Sequence, residues 1–178
     1  MKRNSIIQIA LFLIVIVLSY LLVESIAEPI RFEKERDRRY AQVIERLKLI
    51  RDAQVAYREV KGQFADNWDS LMTVARDGKF KVTKVIGNPD DSLDVLKGIQ
   101  YETMYVSIKD SLFRNKPIDS LPFIPFTDGK LFQLRAGRIK KGAVEISVFE
   151  VEDAAPFDTR KVLRVGSMTD ASLSGNWE

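Results

Sequence analysis

The chain has 178 residues, a formal net charge of +3 and a pI near 9.1, and it contains neither cysteine nor histidine. Those two absences remove disulfides, thiolate nucleophiles, His-dependent triads, Cys- and His-built metal sites and His pH switches together, and they turn the expectation away from an enzyme. Lys2 and Arg3 supply two of the three net charges, so the remainder gives no ground for a nucleic-acid partner.

Residues 1–5 read as a short basic stub, and residues 6–23 (IIQIALFLIVIVLSYLLV) as a transmembrane helix. Apart from Gln8, Ser19 and Tyr20, every side chain in that run is aliphatic, alanine or phenylalanine. Eighteen residues at 1.5 Å each span about 27 Å, close to the roughly 30 Å hydrocarbon core of a bilayer. Ile6, Leu11, Phe12, Ile14, Val17, Leu21 and Val23 are its membrane-anchor residues. With Lys2 and Arg3 in front, the positive-inside rule keeps the N-terminus cytoplasmic. The expected location is the inner (cytoplasmic) membrane, single-pass, with the main domain periplasmic or extracellular and membrane lipid as a partner. A cleaved signal peptide is the rival reading. Ser25-Ile26-Ala27 places small residues where a signal peptidase needs them, although the run exceeds the 7–15 residues of a typical signal core.

Residues 24–61 follow as a juxtamembrane and amphipathic helix. Pro29 predicts a kink or a fresh helix start near the membrane surface. From Phe32 to Lys61 the apolar residues Tyr40, Val43, Ile44, Leu47, Ile50, Ala53 and Tyr57 fall three and four apart, forming one stripe. Tyr40, Ile44, Leu47, Ile50 and Tyr57 are the residues expected to pack on a sheet or a partner. The opposite face, with Arg46, Lys48, Arg51, Asp52, Arg58 and Glu59, reads as solvated. Gly62 ends the helix.

Residues 62–154 read as an α+β domain with an antiparallel sheet. A short helix begins after Asp66 or Asn67, carries Trp68, Leu71, Met72 and Ala75 on one face, and closes at Gly78. Strands are expected over Phe80–Ile86 and Gln100–Ile108, with Gly87 to Asp90 as a turn and a helical turn over Asp90–Lys97. Lys109–Pro117 is a connection. Pro122 and Pro125 confine Leu121–Phe126 to an edge or a loop, and Asp128-Gly129 is a hairpin signal. Lys130–Arg138 returns as a strand, Lys140-Lys141-Gly142 turns, and Val144, Ile146 and Val148 alternate with polar neighbours. Short strands and tight turns imply one antiparallel sheet with a core face and a wet face. Residues 155–178 read as a loosely held extended segment, in which Val162, Leu163 and Val165 form at most one last strand. Phe123, Phe126 and Trp177 are the candidate partner surface.

This order of elements resembles the type IV pilins and pseudopilins, in which a basic leader precedes an apolar helix that continues into an amphipathic helix on an antiparallel sheet. The stretch RLKLIRDAQVAYREVKGQFADNWDSL (Arg46 to Leu71) carries the detail of the likeness. Asn4-Ser5 stand where prepilin leaders end in glycine, and the run opens Ile6-Ile7-Gln8-Ile9-Ala10 without the glutamate that pilins carry. The resemblance therefore implies an unprocessed, membrane-anchored envelope component that works through protein partners or self-association.

No phosphate loop is present, and the acidic groups Asp66-Asp69 and Asp90-Asp91-Asp94 lack the spacing of a calcium loop. No catalytic residue, metal, cofactor or small-molecule substrate is expected. The alternative is a secreted or tethered ligand-binding module released after Ala27, with Trp68, Tyr101 and Tyr105 as contacts.

Overall fold

The computed structural model describes residues 3–86, 100–114 and 116–178, apart from the side chains of residues 3–6, 85–86 and 100–101. The turn and helical turn expected over 87–97 lie outside the described residues, as do the side chains of Ile6 and Tyr101. The protein is mixed α+β: a long N-terminal apolar helix followed by small antiparallel sheets of two and three strands. The chain divides into two compact units, Met1–Ala41 and Gln42–Glu178.

The first helix, α1, spans Arg3–Lys61 without interruption. In the first unit its residues 7–23 are exposed or nearly so, with large apolar side chains such as Phe12 and Leu22 open to their surroundings. The helix also runs through Pro29, so of the kink and the fresh start expected there, the fresh start does not occur. One backbone hydrogen bond is lost at a proline, but the side chains on either side bridge it: Arg31 Nη1 donates to Glu24 Oε1 at 2.9 Å, seven residues apart. Farther along, Glu35 accepts from Arg38 at 2.9 Å and from Arg39 at 2.7 Å. These two guanidinium contacts hold its carboxyl down at about 2.

In the second unit α1 becomes a core element. Val43, Leu47, Ile50, Ala53 and Gln54 are buried, three and four residues apart, on one stripe. Ile44 and Tyr57, expected on the same stripe, lie at its margins and are half-buried. Gln54 is a polar member that hydropathy alone does not mark. Its side-chain amide closes a two-bond ring with Ala65, accepting from the backbone N–H at 2.9 Å and donating to the carbonyl at 3.0 Å. That ring satisfies the backbone of the tight return after Gly62, whose φ of +78° ends the helix. It also seats Phe64 beside Phe149, with ring centroids 4.7 Å apart.

Helix α2 (Trp68–Asp77) is capped by Asn67, whose side chain accepts from the Ser70 N–H at 2.8 Å. Its buried face is Leu71, Met72, Val74 and Ala75. Strands β1 (Lys79–Ile86) and β2 (Gln100–Ser107) form an antiparallel ribbon with Phe80 opposite Val106 and Val82 opposite Met104. The single sheet expected from the sequence is two sheets. After Ser107 the chain turns into a short helix, α3 (Ile108–Leu112), which Ser107 caps and which buries Ile108 completely. A 3-10 turn (Ile118–Ser120) follows, and together they redirect the chain before it reaches the second sheet.

That sheet has the order β3-β4-β5, with β3 at Gln133–Lys141, β4 at Val144–Glu152 and β5 at Arg164–Gly166. Strand β3 starts and ends later than the sequence pattern suggested. The hairpin at Asp128-Gly129 holds only a bridge between Phe123 and Leu131, closed by Ile124 N–H to Lys130 O and Phe132 N–H to Pro122 O. Pro122 can accept but not donate, so a regular ladder cannot build from there. Likewise Val144, placed on a core face by simple alternation, is exposed at the turn, whereas Val148, Phe149, Glu150 and Val151 in the middle of the sheet are buried on both faces.

Residues 155–178 are bound in rather than loosely held. Strand β5 pairs with β4, Val165 is fully buried, and Gly166 N–H donates to Ser174 O while Asn176 N–H donates to Arg164 O. Gly166 has φ +78°, and a Cβ there would lie 2.3 Å from the Phe149 carbonyl oxygen.

Two substitutions test this core. Gly166→Ala meets both the left-handed backbone and the Phe149 carbonyl, and is expected to cost at least about 2 kcal/mol in urea unfolding of the purified chain. Gln54→Leu leaves the buried N–H and C=O of Ala65 unpaired and is expected to cost about 2–4 kcal/mol in the same measurement. A loss under about 0.5 kcal/mol would show, for Gln54→Leu, that the return after α1 is not closed in this way and, for Gly166→Ala, that β5 is not seated on the Phe149 carbonyl as described.

Candidate interaction surface

The second unit carries an open apolar groove of about 490 Å³. Its floor is α1, through Asp52, Val55, Ala56 and Glu59, residues that share one helix face by their three- and four-residue spacing. At about 100° per residue this face lies roughly opposite the buried stripe. The charged side of α1, expected to be merely solvated, is therefore walled by Phe80 from β1, Leu112 from α3, and Leu173 with Ser174 from the C-terminal segment. Arg51, Asp52 and Glu59 supply the charged part of the lining.

The groove runs into the ribbon. Phe80 shares a strand face with Val82, and by register with Met104 and Val106. Val82 is 45%, Met104 48% and Val106 37% exposed, so the face is apolar and open. Such contiguous apolar surface marks interaction sites more often than chance singles do.

The residues singled out in the sequence fall in several places. Tyr40, Leu47 and Ile50 are buried. Phe123 and Phe126 are 45% and 43% exposed, on either side of Ile124, which is buried, so the proline-flanked segment alternates between core and surface. Phe126 also holds φ +61°, a left-handed conformation that costs a bulky residue about 1–2 kcal/mol. The loop leading into this segment is tied to α1 by the Arg46 guanidinium, which donates to the Ser120 carbonyl. Trp177 is half-buried against Gly175, with its indole N–H buried and no acceptor for it among the described residues. Trp68 donates through Nε1 to the Phe132 carbonyl at 3.2 Å, a structural use of its polar tip, and Tyr105 is exposed on the ribbon. Neither Trp68 nor Tyr105 lines the groove.

Among the described residues, the buried carboxylates are all engaged. Glu150 accepts from Arg135 at 2.6 Å, Asp158 from Arg160 at 3.0 Å, and Asp153 from the Ala155 N–H at 2.9 Å. Asp66 accepts from the Asn67 side chain at 2.7 Å, next to the cap of α2. Among the described residues, no three acidic side chains come together as metal ligands.

What sequence reasoning missed is the part played by the chain's end. Arg51 donates to Glu178 at 2.7 Å, and this closure holds Leu173 and Ser174 as the groove's wall. The opposite charges were visible, but a contact spanning 127 residues leaves no local signal. No protein-family model matches the chain, no curated protein matches its sequence, and no solved structure matches its fold.

The hydrogen bond from Arg51 holds the Glu178 carboxyl below its ordinary value of 4.5. A carboxylate lowered in the folded chain stabilises the closure above its ordinary range, and that contribution is lost as pH falls through the lowered value. In a Trp68→Phe background, Trp177 emission is therefore expected to shift to longer wavelength on acidification below the ordinary range. Glu178→Gln is expected to show the shifted emission already at neutral pH. Identical pH profiles for the two chains would contradict the closure.

Proposed function

We propose that this chain is a non-enzymatic, single-pass membrane protein that displays a pilin-like α+β domain outside the cytoplasm, as a structural or interaction component of a bacterial envelope assembly. The single observation that carries this reading is the helix α1. It is long and apolar enough over its first turns to cross a membrane, and its large apolar side chains there are exposed. The same helix supplies the buried stripe of the second unit. A helix apolar all round its circumference suits lipid, whereas one with a single stripe suits a protein core. α1 is the first kind at its start and the second at its end. The two basic residues ahead of the run favour a cytoplasmic N-terminus.

The long apolar helix with small antiparallel sheets is a pilin-like architecture, and this supports kinship with the type IV pilins and pseudopilins. Without the leader glycine and the glutamate at the start of the run, the reading is of an unprocessed component. The partner class is protein, because the open surface is an apolar groove continuous with an apolar strand face. The groove also favours a second reading, a ligand-binding module released after Ala27, since its volume lies in the range that small molecules occupy.

Cell fractionation tests the anchor. The chain is expected in the membrane pellet after alkaline carbonate extraction. Replacing Ile14 and Val17 together by arginine costs about 2.5–3.5 kcal/mol per residue at a helix centre and is expected to move it into the soluble fraction. Wild-type chain found soluble, or a double variant still in the pellet, would overturn the anchor.

A further inference from the structure

Aliphatic side chains surround α1 over residues 6–23 and favour no direction, so the polar ones decide which side of the helix differs. Gln8 and Ser19 stand eleven residues apart, and at about 100° per residue they lie within about 20° of each other. Phe12, Val15 and Leu22 fall within about 40° of Gln8 on the same side. Both Gln8 and Ser19 are exposed. Tyr20, the third polar residue, is about 120° away and is of the type that marks a membrane interface. The two aligned groups differ in what they need. A serine in a helix can donate to the carbonyl four residues earlier. The Gln8 carboxamide has two N–H donors and an acceptor. It lies about 10 Å from the midpoint of the run, inside a hydrocarbon half-thickness of about 15 Å. No water is there to pair with it, and an unpaired polar group in hydrocarbon is costly.

We infer that two copies of the chain pack their α1 helices side by side in the bilayer through Gln8, Phe12, Val15, Ser19 and Leu22. The helices run parallel about a two-fold axis along the membrane normal, with the two Gln8 carboxamides hydrogen-bonded to each other. The inference rests on the membrane-spanning reading above and names one protein partner within it. Symmetry selects a second copy. The carboxamide is its own complement, donating through Nε2 and accepting through Oε1. A different helix would need a polar side chain at the depth of Gln8 and a small one eleven positions on, to meet Ser19. A second copy in the same orientation carries both. That orientation is common to all copies, because Lys2 and Arg3 favour the same side for each N-terminus. Lipid supplies no hydrophobic drive between helices, so small residues that allow close approach and polar side chains that bond across the seam decide where they meet. One polar position in an otherwise apolar seam also fixes its register. Confinement to a single plane raises the effective concentration of the copies.

The chain has no cysteine, so single cysteines report cleanly. Full-length chains carrying Phe12→Cys, Val15→Cys or Leu22→Cys are oxidised in membranes with iodine and resolved without reductant. Ala10→Cys, Leu13→Cys, Val17→Cys and Leu21→Cys, each about 140° or more from Gln8, report the other side of the helix. Disulfide-linked dimer is expected to be about tenfold more abundant from the first set than from the second. Adding Gln8→Leu is expected to lower it about tenfold, and Gln8→Asn to retain it. Gln8→Leu makes the run more apolar, so that loss cannot come from a weakened anchor. Equal yields on the two sides, monomer at every position, a dimer undiminished by Gln8→Leu, or a disulfide to a different protein in its place would overturn the inference. The same membranes are extracted with alkaline carbonate. A chain kept in the pellet without a dimer specific to the Gln8 side defeats this inference alone. A chain released into the supernatant defeats the anchor and the inference together.

Discussion

A run of eighteen uncharged residues without a polar face makes the start of α1 apolar all round and long enough to cross a membrane, and the proposed function depends on that constraint. Burying each of its large apolar side chains gains roughly 1.5–3 kcal/mol, and those of residues 7–23 are exposed. α1 continues as the same helix past Pro29 and into the stripe formed by Val43, Leu47 and Ile50, so one secondary-structure element is apolar all round at its start and carries a single buried stripe at its end. The change from an all-round apolar surface to a single stripe takes place through a segment dense in Glu and Arg, where ion pairs such as Glu24–Arg31 and Glu35–Arg39 support an exposed helix.

The second unit is built by closing its ends onto that helix. Gln54 ties down the return after Gly62, Arg46 holds the loop before Leu121, and Arg51 takes the carboxylate of Glu178. Polar side chains of α1 thus do the fastening while its apolar ones fill the core. Because Arg51 lies away from the buried stripe, the C-terminal segment wraps to the outer side of the helix and leaves a groove there rather than a second packed layer.

What could be read from the sequence had local causes. The helix and its stripe follow from three- and four-residue spacing, the end at Gly62 from a backbone only glycine takes freely, and the ribbon strands from β-branched alternation. The elements misread are those decided by distant partners. Pro29 left a kink or a fresh helix start open, and the helix runs on through it, so the fresh start does not occur. One sheet became two because Ile108 is drawn into the core and turns the chain. The polar C-terminal segment looked loose because its anchors, β4, Ser174 with Gly166, and Arg51, are either far away in sequence or made by backbone. The candidate surface was legible only in part: Phe123 and Phe126 are exposed, but the groove joins residues from α1, β1, α3 and the chain's end, and no window of sequence contains them together.

The reading stands or falls on whether the apolar helix stays attached to the domain, and the intact mass of the chain extracted from bacterial membranes measures this directly. The full-length mass is expected, with residues 1–178 in one piece. A chain shortened by 27 residues would contradict the anchor and leave the groove as the site of a released binding module. Loss of only the first few residues would contradict the unprocessed form and make the chain a processed pilin.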